Sequence, residues 1–518
     1  MVNYLIRRLC LMVPTVLGIT FMVFMLLALA PGGIGAGLAV SGGQMSDTSK
    51  AAQMQAYLED RYGLNDPVVV QYLRWLGRIS PVKFGERDLR MPTGDRVSAP
   101  RDIVEPPMDW AFPVPPKPEV VFTPIVAASG GADQASEQIV EFKKLQREAE
   151  GARRAYIGSV RFFKDTLADY VREKGEPWTD RLEPKGGAEP DKFRDLEFGD
   201  PTKDTNSKAA ALKAAAADMH LKWAKAEETR QRALIAFRAK PYPESGIPII
   251  PGAVSLDTPD LGVAFSKNRP VWDLIATALP VTLLINAIAF PISYLVAIPT
   301  GILASVRRGG WFDVGSGLAF LSLYSIPTVL AGVFAIGFLA NKQYLGLFPV
   351  SGLHASGAES YTFLPYFDDA GTWHEGWLVD TLWHIALPIL CLVYTSFAVL
   401  SKQTRAAMLE NFNADYVRTA KAKGVSRKDV VMRHVFRNSL LPLITMFVGI
   451  FPAMLAGSVV IERIFTIPGM GSLILEAIDL RDREIILANT FMIACVNLLA
   501  LLLADILYAV ADPRVSYE

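Results

Sequence analysis

The residue types that usually carry chemistry are few in this chain and are not grouped. No two histidines have the helical spacing of a metal site, and the five are His220, His354, His374, His384 and His434. The sequence has neither a Gly-x-x-x-x-Gly-Lys-Ser/Thr phosphate loop nor a His-Glu-x-x-His zinc motif. We therefore expect no catalytic residues, no metal site and no cofactor, and we expect that this chain is not an enzyme and does not itself hydrolyse ATP.

Polar and thiol side chains inside apolar runs are expected to be structural. Asp505 lies late in the last apolar run, where a charge raises a functional hypothesis, but a structural contact with a partner helix is favoured. Asn286 and Asn497 are expected to form hydrogen bonds between helices. The three cysteines are interpreted as free thiols that pack as small apolar side chains, and they are Cys10, Cys391 and Cys495.

Basic side chains are concentrated between two apolar runs, in residues 401–442. Nine lysines and arginines oppose three carboxylates there. The pattern predicts a short helix from Asn411 to Lys423 that ends at Gly424, and Ser426 and Asp429 have capping-box spacing at the start of a second helix. Such a platform could bind anionic lipid headgroups or dock a protein, and charge alone does not separate the two.

Six segments are long and apolar enough to cross a bilayer, which requires about 20 residues each. Arg7 and Arg8 precede the first segment, so it could be a signal peptide, but its length favours a retained helix. By hydropathy the segments cover about 9–30, 276–303, 314–340, 381–400, 439–461 and 485–510.

The distribution of lysine and arginine predicts the orientation of these segments. With six spans, the basic pairs Arg7-Arg8 and Arg307-Arg308, the basic residues of 401–440 and Arg514 all fall on one side of the membrane. The positive-inside rule then places both termini in the cytoplasm and residues 31–275 outside it. We expect a multi-pass protein of the bacterial inner membrane.

The segment 86–255 is polar and interrupts the apolar pattern. It begins with a proline-rich stretch, followed by two amphipathic helical patterns at about 134–173 and 206–239. Each apolar stripe must be covered, so we predict that residues 134–240 form an antiparallel helical hairpin.

The motif Asp415-Tyr-Val-Arg-Thr-Ala-Lys-Ala-Lys-Gly424 resembles the EAA loop of binding-protein-dependent ABC importers. It departs from the family pattern because Arg418 replaces the glutamate of the triplet. The following Arg433-His-Val-Phe-Arg-Asn-Ser-Leu-Leu-Pro442 resembles the dipeptide, oligopeptide and nickel branch. Tyr4-Leu-Ile-Arg-Arg8 resembles its B-type permeases, and Asp512-Pro-Arg-Val-Ser-Tyr-Glu518 is similar to the microcin-C-type oligopeptide permeases.

The resemblance implies an all-α membrane protein with six transmembrane helices of the type I ABC importer permease fold and a large external helical insert between helices 1 and 2. The implied domains are 1–85 with the first transmembrane helix, 86–255 as the periplasmic insert, and 256–518 as the permease core. The cytoplasmic coupling loop of that core covers 401–440.

Functional residues are carried over from the family motifs. The residues implied to couple transport to the ATPase are Asp415, Arg418, Thr419, Ala420, Lys421 and Gly424. The residues implied to face the binding protein are Phe465, Pro468, Gly469 and Gly471. The implied partners are a second homologous permease, two ABC ATPase subunits, an extracytoplasmic solute-binding protein and the lipid bilayer, with no nucleic acid.

The implied function is ATP-driven import of peptides or peptide-like solutes by alternating access. His384 could then face the translocation path, although an interfacial histidine with no ligand role is favoured. The alternatives are import of nickel chelates, opines or glutathione, and a membrane scaffold or sensor that works through the insert. The insert itself either contacts the binding protein or has no transport role, and a channel is disfavoured because no filter-like loop is present.

Overall fold

The computed structural model describes residues 2–29, 67–91, 96–124, 132–183, 187–196, 207–250, 253–264, 266–267, 269–369 and 371–511. The C-terminal part of the resemblance, at residues 512–518, lies outside the described residues. The chain divides into two units, one of Met1–Ser41 with Leu261–Glu518 and the other of Gly42–Asp260.

Helices dominate the described residues. In chain order they are α1 (Val2–Leu29), α2 (Val68–Ile79), α3 (Ala132–Lys174), α4 (Ser207–Arg238), α5 (Val271–Val306), α6 (Trp311–Tyr324), α7 (Thr328–Phe334), α8 (Gly376–Phe412), α9 (Asp415–Ala422), α10 (Arg427–Asp429), α11 (Leu440–Val448), α12 (Ile450–Ala456), α13 (Val459–Ile464), α14 (Met470–Asp479) and α15 (Arg483–Ala511). Two π-helical segments, Ala335–Ala340 and Val430–Phe436, continue α7 and α10.

Strands are short. They are β1 (Val82–Phe84), β2 (Leu89–Arg90), β3 (Arg96–Val97), β4 (Ile247–Ile250), β5 (Val254–Leu256), β6 (Val263–Ala264), β7 (Arg269–Pro270), β8 (Tyr366–Phe367) and β9 (Trp373–His374). All pairings are antiparallel. They form one three-stranded sheet in the order β1-β5-β4 and three two-stranded ribbons, β2-β3, β6-β7 and β8-β9.

Five helical stretches in the described residues are long and apolar enough to cross a membrane, and a sixth is a bent pair. The bent pair is the third predicted span, 314–340, where α6 and the stretch Thr328–Ala340 meet at 85°. Pro327 lies at this break; proline provides no backbone N–H donor and disfavours helical backbone in the residue before it. The third span is therefore not the continuous helix that its hydropathy indicated.

The fifth predicted span, 439–461, is also interrupted. The helix is interrupted at Gly449, between α11 and α12. It ends before Gly457, whose φ of +72° lies in the left-handed region. The fourth predicted span, by contrast, is extended, because α8 continues to Phe412 and so includes the first third of the predicted 401–440 loop. Asn411 consequently belongs to α8, and the short helix after it begins only at Asp415.

Helices α5 and α8 run parallel and pack along their length. Ile285 near the start of α5 shares a core with Ile385 near the start of α8, and Ser305 at the end of α5 donates to Met408 Sδ at 3.4 Å near the end of α8. Between these points Gly301 is in close contact with α8: a Cβ there would lie 2.7 Å from the Ser401 carbonyl oxygen. Small residues permit such close approach of helices.

Helix α15 packs against both α1 and the α11–α12 stretch, antiparallel to each. Arg8 early in α1 pairs with Asp505 late in α15 at 3.1 Å, while the Phe24 ring later in α1 lies 5.1 Å from the Arg483 guanidinium. Thr445 in α11 hydrogen-bonds the Tyr508 hydroxyl. The ends of α5, α8 and α15 and the start of α1 define one end of this unit.

The Gly42–Asp260 unit is built around the antiparallel pair α3 and α4. Phe142 and Leu145 near the start of α3 pack with Phe237 near the end of α4. Further along α3, large side chains form the main core with the middle of α4, and this core includes Phe163, Leu167, Tyr170, Leu212, Met219 and Trp223. Each helix therefore covers the apolar stripe of the other, since burying that stripe is what stabilises such a pair.

Candidate functional site

Helix α9 has a defined end. The Gly424 N–H donates to the Lys421 carbonyl at 3.0 Å, and the Val425 N–H donates to the Ala420 carbonyl at 3.2 Å. These two bonds are a Schellman motif, and Gly424 adopts the left-handed φ of +75° that this motif requires. The next helix, α10, is capped by Ser426, whose Oγ accepts from the Asp429 N–H at 3.2 Å. Residues 415–436 thus form two rigidly joined helices, which we call the basic platform.

The basic platform buries one face of α9 and exposes the other. Val417 and Ala420 pack in a core with Met408 of α8 and Val431 of the π-helical segment. The exposed residues include Arg418, whose side chain is 74% exposed and lies 3.5 Å from Asp415. Of the six predicted coupling residues, four have exposed side chains, Ala420 belongs to the core, and Gly424 forms the turn; the four are Asp415, Arg418, Thr419 and Lys421.

A chain of hydrogen bonds connects α9 to α8. The Tyr416 hydroxyl donates to Asn411 Oδ1 at 2.6 Å, and Asn411 Nδ2 donates to Ser439 Oγ at 3.1 Å. Ser439 is fully buried and lies 3.2 Å from the Ala407 carbonyl oxygen. These bonds link α9 and α8 to the residue that precedes α11.

An ion pair beside the basic platform was missed in the sequence. Arg405 of α8 binds Asp313 of α6 through Nε–Oδ1 at 2.5 Å and Nη2–Oδ2 at 2.8 Å. The Gly309 N–H also donates to Asp313 at 2.9 Å. Asp313 is buried, and bidentate pairs of this kind are geometrically specific. No sequence signal connects two residues that lie 92 positions apart in different spans.

At the opposite end of the spans, residues 457–472 form what we call the glycine loop, which surrounds Glu462. This buried carboxylate accepts hydrogen bonds from Thr282 Oγ1 at 3.0 Å, the Ser458 N–H at 3.1 Å and the Ser472 N–H at 2.9 Å. A Cβ at Gly457, Gly469 or Gly471 would approach the Glu462 carboxylate to 3.0 Å or less. The glycines therefore make room for the carboxylate between α5 and the loop.

Most of the residues predicted to face a binding protein lie inside the glycine loop. Phe465 is 1% exposed and packs in the core shared by α5 and α8. Gly469 and Gly471 are buried, and Gly471 is in the first turn of α14. Pro468 is the exposed member of the predicted set.

Two histidines that are distant in sequence lie against one carboxylate. His384 Nδ1 is 3.2 Å from Asp380 Oδ1, and His354 Nδ1 is 3.7 Å from Asp380 Oδ2. Burial lowers the pKa of His354, and the Asp380 charge opposes that shift. Within the described ranges, no group of three or more His, Cys, Asp or Glu residues is placed to hold a metal ion.

Asp505 has the structural contacts that were favoured for it. Its Oδ2 accepts a hydrogen bond of 2.9 Å from the Tyr4 hydroxyl in addition to the ion pair with Arg8. Both partners belong to α1, so this charge joins the first and last helices of the unit.

The comparisons with known proteins agree with this architecture. Residues 297–517 match the family model described as "Binding-protein-dependent transport system inner membrane component". This range begins in α5 and includes both the basic platform and the glycine loop.

Individual relatives align with about half of the chain. It is 36% identical over 260 residues to "Inner membrane ABC transporter permease protein YejB" of Escherichia coli O157:H7, which covers 50% of this chain and 68% of the relative. It is 36% identical over 251 residues to "Oligopeptide transport system permease protein AppB" of Bacillus subtilis (48% and 74%). It is 33% identical over 265 residues to "Dipeptide transport system permease protein DppB" of Escherichia coli K12 (50% and 77%).

The family resemblance inferred from the motifs is therefore confirmed. The apolar helices and these relatives indicate a multi-pass protein of the inner membrane. The chain belongs to the inner membrane permease components of binding-protein-dependent ABC transport systems.

Proposed function

We propose that this chain is the permease subunit of an ATP-driven importer of peptides or peptide-like solutes. The peptide class is supported by the oligopeptide and dipeptide permeases among its relatives. Its partners are an extracytoplasmic solute-binding protein, a second homologous permease and two ABC ATPase subunits. Those subunits hydrolyse ATP, since this sequence has no phosphate-binding loop.

The observation that carries the proposal is the exposed face of α9. This helix presents Asp415, Arg418, Thr419 and Lys421 outward, while its opposite face is packed on α8 and on the rest of the basic platform. Ala420 and Gly424 fix its packing and its end. A partner that docks on the exposed face can thus move α8 and α5 as a rigid body, which is what coupling ATP hydrolysis to transport requires.

The chain crosses the membrane six times in this proposal. The parallel arrangement of α5 and α8 supports counting α6 and α7 as one crossing between them. The antiparallel packing of α15 against α1 and against α11–α12 supports one crossing for each of these three segments. Both termini and the basic platform lie in the cytoplasm, by the positive-inside rule. The glycine loop and the insert 86–255 then lie outside.

The glycine loop forms the outer rim near the delivered solute. Pro468 provides the exposed contact with the binding protein, while Phe465, Gly469 and Gly471 hold the loop in place from inside. By the positive-inside rule the insert 86–255 lies outside the cytoplasm, where it provides a further contact for the binding protein.

The coupling proposal is tested by charge reversal in reconstituted transporter with its ATPase partners. Arg418→Glu with Lys421→Glu should reduce ATP-dependent peptide uptake at least tenfold and lower ATPase co-purification. Lys428→Glu with Arg433→Glu changes the same charge on exposed residues outside α9 and should leave uptake near the wild-type rate. Uptake at the normal rate in the α9 variant would refute the coupling role.

The orientation is tested by cysteine labelling in a variant that lacks the three native cysteines. A cysteine at the exposed position Lys423 should react only with a membrane-permeant reagent added from outside, whereas one at Lys213 on α4 should react with an impermeant reagent. Equal labelling of both by the impermeant reagent contradicts the proposed six crossings.

A further inference from the structure

A cavity of about 490 Å³ opens beside the basic platform. It lies where the end of α5, the end of α8 and the α9–α10 turn meet. Its lining includes Val306 from α5, Phe412 from α8 and Val425 from the turn. Of the residues proposed to couple α9 to the ATPase, only Lys421 lines this cavity.

The cavity has a cationic wall. Arg308, Lys421 and Arg427 all line it, and no carboxylate does. In the described part of the chain these three side chains form no salt bridge. Asp313, which interacts electrostatically with Arg308, is already bound bidentately by Arg405. Three cations that line one cavity and form no salt bridge among the described residues favour an anionic ligand.

The rest of the cavity is mainly apolar. Ser305 and Asn413 are its other polar residues, while Leu409, Val430 and Val431 are among the apolar ones. Part of this surface continues into the core beneath α9. The ligand is therefore expected to combine a compact negative charge with an apolar part.

We propose that this cavity binds the phosphate-bearing headgroup of an anionic phospholipid. The cavity is at the ends of two membrane-spanning helices, where headgroups meet water, and acyl chains can follow the apolar surface of α5 and α8 from there. Basic pockets between helices at the cytoplasmic side are typical sites for such headgroups. An acidic side chain of a partner protein would satisfy the cations but not the apolar wall.

The test compares two double variants of the full chain with the same loss of charge. Arg308→Gln with Arg427→Gln removes two lining cations and leaves Lys421 in place. The matched control, Arg307→Gln with Lys428→Gln, removes the exposed basic residues next to Arg308 and Arg427 in the sequence. Neither of these two residues lines the cavity. Phosphatidylglycerol is titrated into detergent-purified protein, and the bound lipid is counted by native mass spectrometry, with phosphatidylcholine as the neutral reference.

We expect the lining variant to bind phosphatidylglycerol roughly tenfold more weakly than wild type, since each basic residue near an anionic surface contributes substantially. The control should bind within about twofold of wild type, and both should elute as wild type does from a sizing column. Equal weakening in both variants would overturn the proposal, because it would indicate general surface charge.

Two further measurements distinguish a phospholipid from the other possible anionic ligands of the cavity. Glycerol 3-phosphate should compete only weakly, because it lacks acyl chains; competition as strong as that of the lipid would overturn the phospholipid assignment. Loss of ATPase co-purification in the lining variant with lipid binding unchanged would instead assign the cavity to an acidic protein partner, and would also overturn it.

Discussion

Thr282 of α5 donates a hydrogen bond of 3.0 Å to Glu462, a residue 180 positions later that is fully enclosed by the glycine loop. The same hydroxyl accepts from the Met470 N–H at 2.8 Å. Thr282 and Glu462 thus join the α5 span to the loop between α12 and α14 by polar contacts that exclude water, so the position of the loop depends on them.

The first prediction concerns the removal of this carboxylate. Glu462→Ala leaves the Ser458 and Ser472 N–H groups without their acceptor, and unsatisfied buried donors cost about 1–3 kcal/mol each. We expect a clear decrease in the apparent Tm of the purified protein, followed by tryptophan fluorescence. Arg463→Ala changes the exposed neighbour and should leave Tm almost unchanged. Equal Tm values for the two variants would contradict the structural role of Glu462.

The second prediction concerns Asp313 and Arg405. Removing one partner of a fully buried pair costs about 3–5 kcal/mol. The Arg405 side chain is 36% exposed, so we expect about 1–3 kcal/mol for Asp313→Asn, with a smaller loss for Arg405→Lys, which keeps the charge but not the two-pronged geometry.

A double-mutant cycle in detergent measures this coupling, and Lys402→Gln, an exposed charge on the same helix, serves as the control. A coupling energy near zero between positions 313 and 405 would show that the pair does not connect α6 to α8.

The sequence indicated the helices well because hydropathy and capping are local. Asp429 follows Ser426 at the expected spacing and its N–H donates to the Ser426 side chain, and the apolar windows coincide with the long apolar helices of the described residues. The 85° bend at Pro327 could not be predicted, since proline marks a break but the packing of distant helices sets the angle.

The candidate sites were predictable only in part for the same reason. The motif around Asp415 to Gly424 is contiguous, so it could be read directly. The surroundings of Glu462 combine Thr282 with a loop nearly two hundred residues away, and His354 reaches Asp380 of α8 from a separate loop. Such contacts depend on tertiary packing, which no periodicity encodes.

The third prediction concerns pH and the α3–α4 hairpin. Burial lowers the pKa of His220 on α4 from its usual 6.5, and its Nε2 is buried without a hydrogen-bond partner among the described residues. The unfolded chain therefore binds the proton more readily. The stability that depends on neutral His220 is present above about pH 6.5 and is lost as the pH falls through the lower folded value.

Hydrogen exchange of α4 peptides in the full chain measures this effect, after correction for intrinsic exchange rates. Protection should fall between pH 7.5 and pH 5.5 in wild type and should fall less in His220→Gln, where no titration occurs. The same pH dependence in both proteins would exclude His220 as the cause.

The last prediction separates backbone conformation from side-chain space at Gly424. No atom lies within 4 Å of a Cβ placed there, so only the left-handed φ of +75° opposes a side chain. Gly424→Ala should cost about 1 kcal/mol at the end of α9, and Gly424→Asn should cost less because asparagine tolerates this conformation. If a well-defined helix end couples α9 to α8, ATP-dependent peptide uptake should fall in the alanine variant and recover in the asparagine variant.

Gly357→Ala imposes a similar backbone penalty, at φ +89° in open space away from the basic platform, and should leave uptake unchanged. An equal loss of uptake in the Gly424→Ala and Gly424→Asn variants would mean that the helix end at Gly424 has no special role in coupling. An equal loss in the Gly424→Ala and Gly357→Ala variants would mean the same.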